Sequence, residues 1–287
     1  MKGIILAGGK GSRLKPLTNG VSKQMLPVFN KPMIYYPLST LMLAGIKDIL
    51  IISGEEQLPI YKEILSECKH IGLNIEFAVQ DQPRGLPEAF IIGEEFIGDD
   101  NVCLILGDNL FYGQGFSSLL KKACDNKSGG TIFGYPVGNP ESFGVAEVED
   151  GKVISLEEKP KQPKSNLAVT GLYFFDSRVS EFAKNLKPSA RGELEIVDIQ
   201  KKYLENSELN FINLGRGFAW LDMGTHESLL DAGNYVRAIE SRQGINMACI
   251  EEIALNNGWT TVEELKQRLQ SLNIENNYYN YINKLLS

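Results

Sequence analysis

The chain has 287 residues, 43% hydrophobic and 23% charged, which is enough to bury a substantial core in one large α/β domain or two small ones. Its formal net charge of −7 argues against nucleic acid as the main partner, because a phosphate backbone calls for a basic surface. No stretch reaches the roughly 20 apolar residues of a membrane helix, no secretory leader pattern opens the chain, and Cys68, Cys103, Cys124 and Cys249 form no C-x-x-C pair, so no zinc site is indicated and a reduced, cytoplasmic location is expected.

In chain order, the apolar run Ile4 to Ala7 reads as a buried strand. Gly8, Gly9 and Gly11 follow, then Arg13, Lys15 and Lys23. Glycine lets backbone N–H groups approach a ligand, and fixed cations beside them suit a polyphosphate. The other reading is a plain turn with solvated basic residues. Neither the dinucleotide fingerprint nor the Walker loop fits: a third glycine of G-x-G-x-x-G would fall on Leu14, and Gly9-Lys10-Gly11 lacks the Walker Gly-Lys-Ser/Thr.

A helix is expected to start at Pro32 and carry Met33, Ile34, Leu38, Leu41 and Met42, with Pro37 in its first turn or at a kink and Gly45 as its stop. Tyr35 and Tyr36 suit packing better than base stacking. Strands are expected at Asp48–Ser53, Asn74–Gln80 and Val102–Leu106, with helices near 57–67 and 88–96. Strands alternating with helices imply βαβ units, a largely parallel sheet, and ligands at the carboxyl ends of its strands. The loops at 8–13, 80–85 and 107–109 fall at such ends.

The second half reads as a mixed extension of the same sheet. Strands are expected at 131–137, 143–148, 153–157 and 169–175, with a hairpin turn at Asp150-Gly151. Helices at 177–186 and 193–205, short strands at 209–213 and 218–221, and a helix at 226–241 follow. From Gln243 onward a polar helical tail carries apolar faces (Ile250, Ile253, Ala254; Val262, Leu265, Leu269). The expected division is a domain over 1–242, in two parts of about 1–130 and about 131–225, and a helical extension over 243–287.

Asp108 closes a buried run and suits Mg²⁺ against phosphate oxygens, or a turn cap. Asp222 closes another, in Ala-Trp-Leu-Asp-Met-Gly-Thr. Lys159, in Glu-Glu-Lys-Pro, is a solvated charge or a ligand cation, held extended by Pro160. Arg191, before a helix, suits an anion or a capping loop equally. His70 and His226 sit where neither makes a general base or metal ligand.

Six motifs together resemble the sugar-1-phosphate nucleotidyltransferases over nearly the whole chain: Leu-Ala-Gly-Gly-Lys-Gly-Ser-Arg-Leu, Ser-Lys-Gln-Met-Leu-Pro, Lys-Pro-Met-Ile-Tyr-Tyr-Pro-Leu, Gly-Asp-Asn, Leu-Glu-Glu-Lys-Pro and Pro-Ser-Ala-Arg-Gly-Glu-Leu-Glu. The resemblance implies an α/β, Rossmann-like nucleotidyltransferase core with a mixed, mostly parallel sheet, an inserted sugar-binding region and a C-terminal helical tail. Within the family the match is to members that convert dTTP and α-D-glucose 1-phosphate to dTDP-glucose and pyrophosphate with Mg²⁺, for deoxysugars such as rhamnose. A UTP-using relative and a non-catalytic sugar-nucleotide sensor are the alternatives.

Carried over by resemblance, Leu6, Gly8, Gly9, Gly11, Ser12 and Arg13 border the nucleotide, with Lys23 and Gln24 beside the phosphates. Gln80 and Gly85 meet the thymine, and Asp108 and Asp222 hold the metal. Gly144, Glu158 and Val169 contact the glucose, and Lys159 and Arg191 grip its phosphate. Arg13, Lys23, Asp108, Lys159 and Asp222 form the implied catalytic set. A homotetramer and inhibition by a downstream dTDP-sugar are also implied, with no nucleic-acid or membrane partner. Two positions depart from the family pattern: Pro87-Glu88-Ala89 where Ala-Gln-Ala is expected, and Phe143 where Tyr is expected. Glu88 either places a carboxylate by the nucleotide or points outward.

Overall fold

In the computed structural model, which describes residues 1–9 and 11–287, the opening apolar run is strand β1, Lys2–Leu6. The chain then makes 3-10 turns at Ser12–Leu14 and Lys23–Met25 before a two-strand hairpin, β2 (Pro27–Val28) and β3 (Lys31–Pro32). Pro32 therefore lies in a strand and not at a helix start. The hairpin's bonding runs on past it, because Met33 N–H donates to Leu26 O and Ile34 N–H to Gln24 O. Helix α1 is Tyr35–Leu43, with Pro37 in the first turn, where its missing N–H has no intrahelical partner to lose. Tyr36 is buried and its hydroxyl donates to Val28 O, so it is a packing residue.

Next come β4 (Asp48–Ser53), α2 (Leu58–Ile64), β5 (Asn74–Val79), α3 (Glu88–Ile92), α4 (Glu94–Ile97) and β6 (Val102–Leu106). The helix expected over 88–96 breaks at Gly93 into α3 and α4. Strand β7 (Asn109–Tyr112) and helix α5 (Phe116–Asp125) add to the elements expected from sequence. The second half contains β8 (Gly130–Pro136), β9 (Gly144–Glu149), β10 (Lys152–Glu158), β11 (Leu167–Phe175), α6 (Val179–Lys184), α7 (Ile196–Glu205), β12 (Leu209–Asn213), β13 (Ala219–Asp222) and α8 (His226–Gln243). Helices α9 (Ile250–Asn256), α10 (Val262–Leu272) and α11 (Asn277–Leu285) complete the chain.

One mixed sheet organises the molecule, in the order β10-β9-β11-β6-β1-β4-β5, with β8 paired to β11 and β12 to β8. Its first half is parallel: β1 lies between β4 and β6, and β5 borders β4. Beyond β6 the pairing is antiparallel, apart from β12 on β8. The strand alternation explains the unbroken apolar runs. Ile5, Ile49, Ile51, Cys103 and Ile105 face one core, which also takes in α1, α5 and the C-terminal helices through Ile250, Ile253, Leu265 and Ile282. Ile4, Leu50, Ile52, Val102 and Leu104 face a second core with Phe90, Val179, Ile199 and Tyr203. Both sheet faces are covered, so the middles of these strands are apolar on either side, and the polar residues Lys2, Asp48 and Ser53 stand at strand ends. A separate ribbon pairs β13 with β7 and sets Asp222 opposite Asn109.

Candidate active site

A cleft of about 960 Å³ opens where β1, β6 and the β7–β13 ribbon end. Leu6, Gly9, Gly11, Ser12, Arg13, Lys23, Gln24, Gln80, Gly85, Asp108, Gly144, Glu158, Lys159, Val169, Arg191 and Asp222 all line it. Gly8 stands just behind, its Cα turned to Gln80. The structure thus gathers the residues expected from sequence, Gly8 excepted, along the wall of one concavity.

At one end is the glycine turn. Gly11 has φ +58°, and a Cβ there would lie 2.9 Å from Thr18 Cγ2. Conformation and space both demand glycine at this corner. It opens the 3-10 turn that carries Arg13 into solvent. Lys23 is buried, and its ammonium is ion-paired with Asp108 Oδ2. Gln24 is also buried, its side-chain carbonyl accepting bonds from Ser22 Oγ at 2.8 Å and Tyr61 Oη at 3.2 Å.

Two carboxylates stand at the centre. The backbone joins them, since Met223 N–H donates to Asp108 O at 3.0 Å. Asp222 Oδ1 accepts from Gly224 N–H at 3.1 Å, and Asp222 Oδ2 accepts no hydrogen bond among the described residues. Arg13 and Asp222 both crowd Gly224: a Cβ there would lie 2.8 Å from Arg13 Nη2 and 3.0 Å from Asp222 Oδ1. No group of three or more His, Cys, Asp or Glu side chains is placed to hold a metal among the described residues. The two acidic side chains would fit Mg²⁺, a hard cation usually bound through one or two carboxylates plus phosphates.

Asn109 is a residue the sequence reading gave no role. Its amide donates to Asp108 Oδ1 at 2.9 Å. Its carbonyl accepts from Trp220 Nε1 at 2.6 Å and Gly171 N–H at 3.2 Å. This buried amide fixes the rotamer of Asp108 and ties β7 to β11 and β13. The Gly-Asp-Asn motif was its only trace in sequence.

The opposite end is richer in carboxylates. Arg191 lies 2.7 Å from Glu195, 3.5 Å from Glu158 and 3.6 Å from Glu193. Hydrogen bonding to Glu195 raises the Arg191 pKa. Burial acts to raise the Glu195 pKa, but bonds from Arg191 and Ser189 outweigh it and hold the carboxyl below its usual range. Glu158 is pushed the other way, first by burial and then by the charge of Glu195. Gly144 adjoins it: a Cβ there would meet Glu158 Oε2 and Val197 Cγ2 at 3.3 Å. Val169 lies where the β11–β8 register shifts. Phe143 packs on Trp220 with ring centroids 5.1 Å apart.

Lys159 corrects one expectation. Its φ is +45°, in the left-handed region and not extended. The following proline disfavours the right-handed helical region, and two neighbours select the rest: Lys159 N–H donates to Phe143 O at 3.0 Å, and Pro160 is buried. The exposed ammonium makes no ion pair among the described residues.

Glu88 neither borders the cleft nor points outward. It is 7% exposed and accepts from Gln80 Nε2 at 2.7 Å, Arg84 N–H at 3.1 Å and Arg84 Nη1 at 3.0 Å. Pro87 caps the start of α3, which positions this carboxylate.

Comparison with known proteins agrees with this geometry. The nucleotidyl transferase family model matches residues 2–238. The chain is similar to the glucose-1-phosphate thymidylyltransferase of Neisseria meningitidis serogroup A / serotype 4A, 57% identical over 287 residues, covering 100% of this chain and 99% of the relative. A Bacillus anthracis protein crystallised with sucrose superposes with a TM-score of 0.77 at 43% identity, covering 83% of this chain and 95% of that one. A UDP-glucose pyrophosphorylase in complex with UDP-glucose gives 0.72 at 26% identity, covering 83% and 98%. No helix is long and apolar enough to cross a membrane among the described residues.

Proposed function

The chain belongs to the nucleotidyl transferase family, and from that premise we propose that it makes dTDP-glucose and pyrophosphate from dTTP and α-D-glucose 1-phosphate. The observation that carries this reading is one cleft with cations at both ends and two carboxylates between them. Such a cleft suits two anionic substrates that meet at its centre.

In this reading Gln80 and Gly85 address the base, with Leu6 beneath it. Gly8, Gly9, Gly11 and Ser12 surround the triphosphate, with Arg13, Lys23 and Gln24 alongside. Gly144, Glu158 and Val169 receive the glucose, and Lys159 and Arg191 its phosphate. Asp108 and Asp222 would hold Mg²⁺, which when bound neutralises charge on the phosphates.

The nucleophile is a phosphate oxygen of the sugar phosphate, attacking the α-phosphorus in line as pyrophosphate departs. A phosphate monoester is largely dianionic at neutral pH, its second pKa being about 6. It needs no general base, and the cleft lining contains no histidine among the described residues. Catalysis then rests on alignment and on neutralising charge. Lys159 and Arg191 offset repulsion between the two anions and aim the attacking oxygen. Arg13 opposes charge gathering on the pyrophosphate. Asn109 keeps Asp108 turned into the cleft, and Lys23 balances it.

The test is incubation with dTTP, glucose 1-phosphate and Mg²⁺, assaying pyrophosphate, with UTP and other nucleotides and sugar phosphates in parallel. Pyrophosphate release fastest with dTTP is expected. Faster turnover with UTP would move the protein to the uridylyl branch, and tight binding without turnover would make it a sensor. The same reading carries a cytoplasmic homotetramer inhibited by a downstream dTDP-sugar, to be checked by sedimentation and by inhibition assays.

A further inference from the structure

Glu88 departs from the family pattern and lies behind the base end of the cleft. Its carboxylate accepts hydrogen bonds and donates none. Of the two ends of the Gln80 side-chain amide, only the nitrogen can therefore bond to it, as it does at 2.7 Å. The Arg84 backbone N–H and guanidinium complete the carboxylate's shell at 3.1 and 3.0 Å. Gln80 and Glu88 are both buried, so water offers little competition for these bonds. With its nitrogen committed, the amide must turn Oε1 the other way. Oε1 faces Gly8, only 2.1 Å from where a Cβ would stand, and accepts no hydrogen bond among the described residues. Gly85 lines the same cleft as Gln80, at φ +116°, and its N–H finds no acceptor among the described residues.

We propose that Glu88 is a positioning residue for base selection: it locks the Gln80 amide with the carbonyl toward the base, so that the cleft presents an acceptor beside the Gly85 donor. This rests on the dTTP reading above. The edge that matches is an imide, an N–H flanked by carbonyls, as in thymine and uracil. Cytosine in the same pose puts a ring-nitrogen lone pair against Gln80 Oε1 and is rejected. A lone glutamine amide can flip to satisfy either edge, and the carboxylate removes that freedom.

The test compares wild type, Glu88→Met and Glu88→Gln. Equilibrium binding of dTTP and dCTP is measured on each, with melting temperature and steady-state rates in parallel. Glu88→Met keeps the length but loses the acceptor, so the amide turns freely. We expect its dTTP-over-dCTP affinity ratio to fall at least tenfold. Losses in turnover should sit in KM for the nucleotide, with KM for glucose 1-phosphate within twofold. Glu88→Gln retains a carbonyl for Gln80 Nε2 and should keep the ratio within threefold of wild type. A purely structural role would lower the melting temperature and weaken both nucleotides alike, and an unchanged ratio in Glu88→Met overturns the proposal. Equal affinity of wild type for the two nucleotides overturns it as well. Absence of turnover in wild type would defeat the transferase reading alone, since the binding ratio still decides the role of Glu88. If Glu88→Met does not fold, the ¹⁵N side-chain resonances of Gln80 in wild type decide. Their protons should exchange slowly with solvent already without nucleotide, as a bond held by Glu88 requires, and exchange as fast as in free glutamine overturns the proposal.

Discussion

The two ends of the cleft hold their cations differently. At the phosphate end Arg13 is exposed and meets no carboxylate within ion-pair distance among the described residues. At the sugar end Arg191 already sits among Glu195, Glu158 and Glu193. An incoming triphosphate would find a guanidinium whose charge is uncommitted. On the proposed reading an incoming sugar phosphate would find that shared guanidinium beside the exposed ammonium of Lys159, which makes no ion pair among the described residues. On the proposed reading the Arg13 guanidinium opposes strong charge, and the Arg191 guanidinium aims a substrate without holding it too tightly. Tight ground-state binding of the nucleophile would add nothing to the chemical step.

Arg13→Ala tests the strong end. Because Arg13 is exposed, the fold and melting temperature should be retained. Removing one preorganised charge donor from a developing anion typically costs about 10² to 10³ in rate, and we expect a loss of that size in kcat/KM, most of it in kcat. A loss below about fivefold would mean that Lys23 and the metal carry the phosphate end without Arg13. Asn109→Ala asks whether the centre is preorganised. It frees Asp108 Oδ1 and orphans Trp220 Nε1. Losing an outer partner of a metal-holding carboxylate costs about 10- to 100-fold in metal affinity or activity. The expected signature is a raised Mg²⁺ requirement that excess Mg²⁺ partly restores. Without that rescue, Asn109 serves the fold and not the metal.

Arg13 and Asn109 stand on opposite sides of what was legible in the sequence. Each buried strand ends where the chain changes character, so Asp108 and Asp222 stood out at the ends of apolar runs, and the glycine turn stood out by composition. The parallel half was readable for the same reason, its strands being apolar on both faces. What escaped depends on partners that no local pattern names. Asn109 acquires its role from Trp220, 111 residues away, through a ribbon no local pattern announces. The direction of Glu88 depends on Gln80 and Arg84, and Lys159 is left-handed because of its bond to Phe143 and the burial of Pro160. Pro32 misled because its helix-start signal lost to hairpin bonding reaching back to Leu26 and Gln24. Helix α5 carries a readable spacing, Phe116, Leu120 and Ala123, beside a sheet that dominated the pattern.

The sugar end is tested by relieving its negative charge. Glu195→Gln removes the closest charge on Arg191 while leaving an acceptor for Ser189 and the guanidinium. If the carboxylates damp Arg191, the KM for glucose 1-phosphate should fall about threefold at low salt, and the gain should shrink as salt screens it. A raised KM would mean that Glu195 works as a strut that aims Arg191, and the contrast between the two ends would narrow to one of geometry.

The smallest effect separates charge from geometry at Glu158. Burial, then the charge of Glu195, raises its pKa above the ordinary 4.5, and these outweigh the opposing pull of Lys159 and Arg191. A carboxyl whose pKa is raised on folding binds its proton more tightly in the folded state. Its contribution to stability is therefore present at low pH and is lost as pH rises through the folded pKa. Glu158→Gln cannot titrate and escapes that loss. In the unliganded protein its melting temperature should match wild type well below the ordinary 4.5, where Glu158 is protonated in both states, and exceed it by a few degrees once pH has risen through the folded pKa. Activity should fall in the same variant, because the side chain that destabilises the empty cleft is the one offered to the glucose. A gap that stays flat across this range would mean that Arg191 already neutralises Glu158 in the empty protein. The guanidinium would then be wholly committed before substrate arrives, and Lys159 would be left as the cation that receives the sugar phosphate.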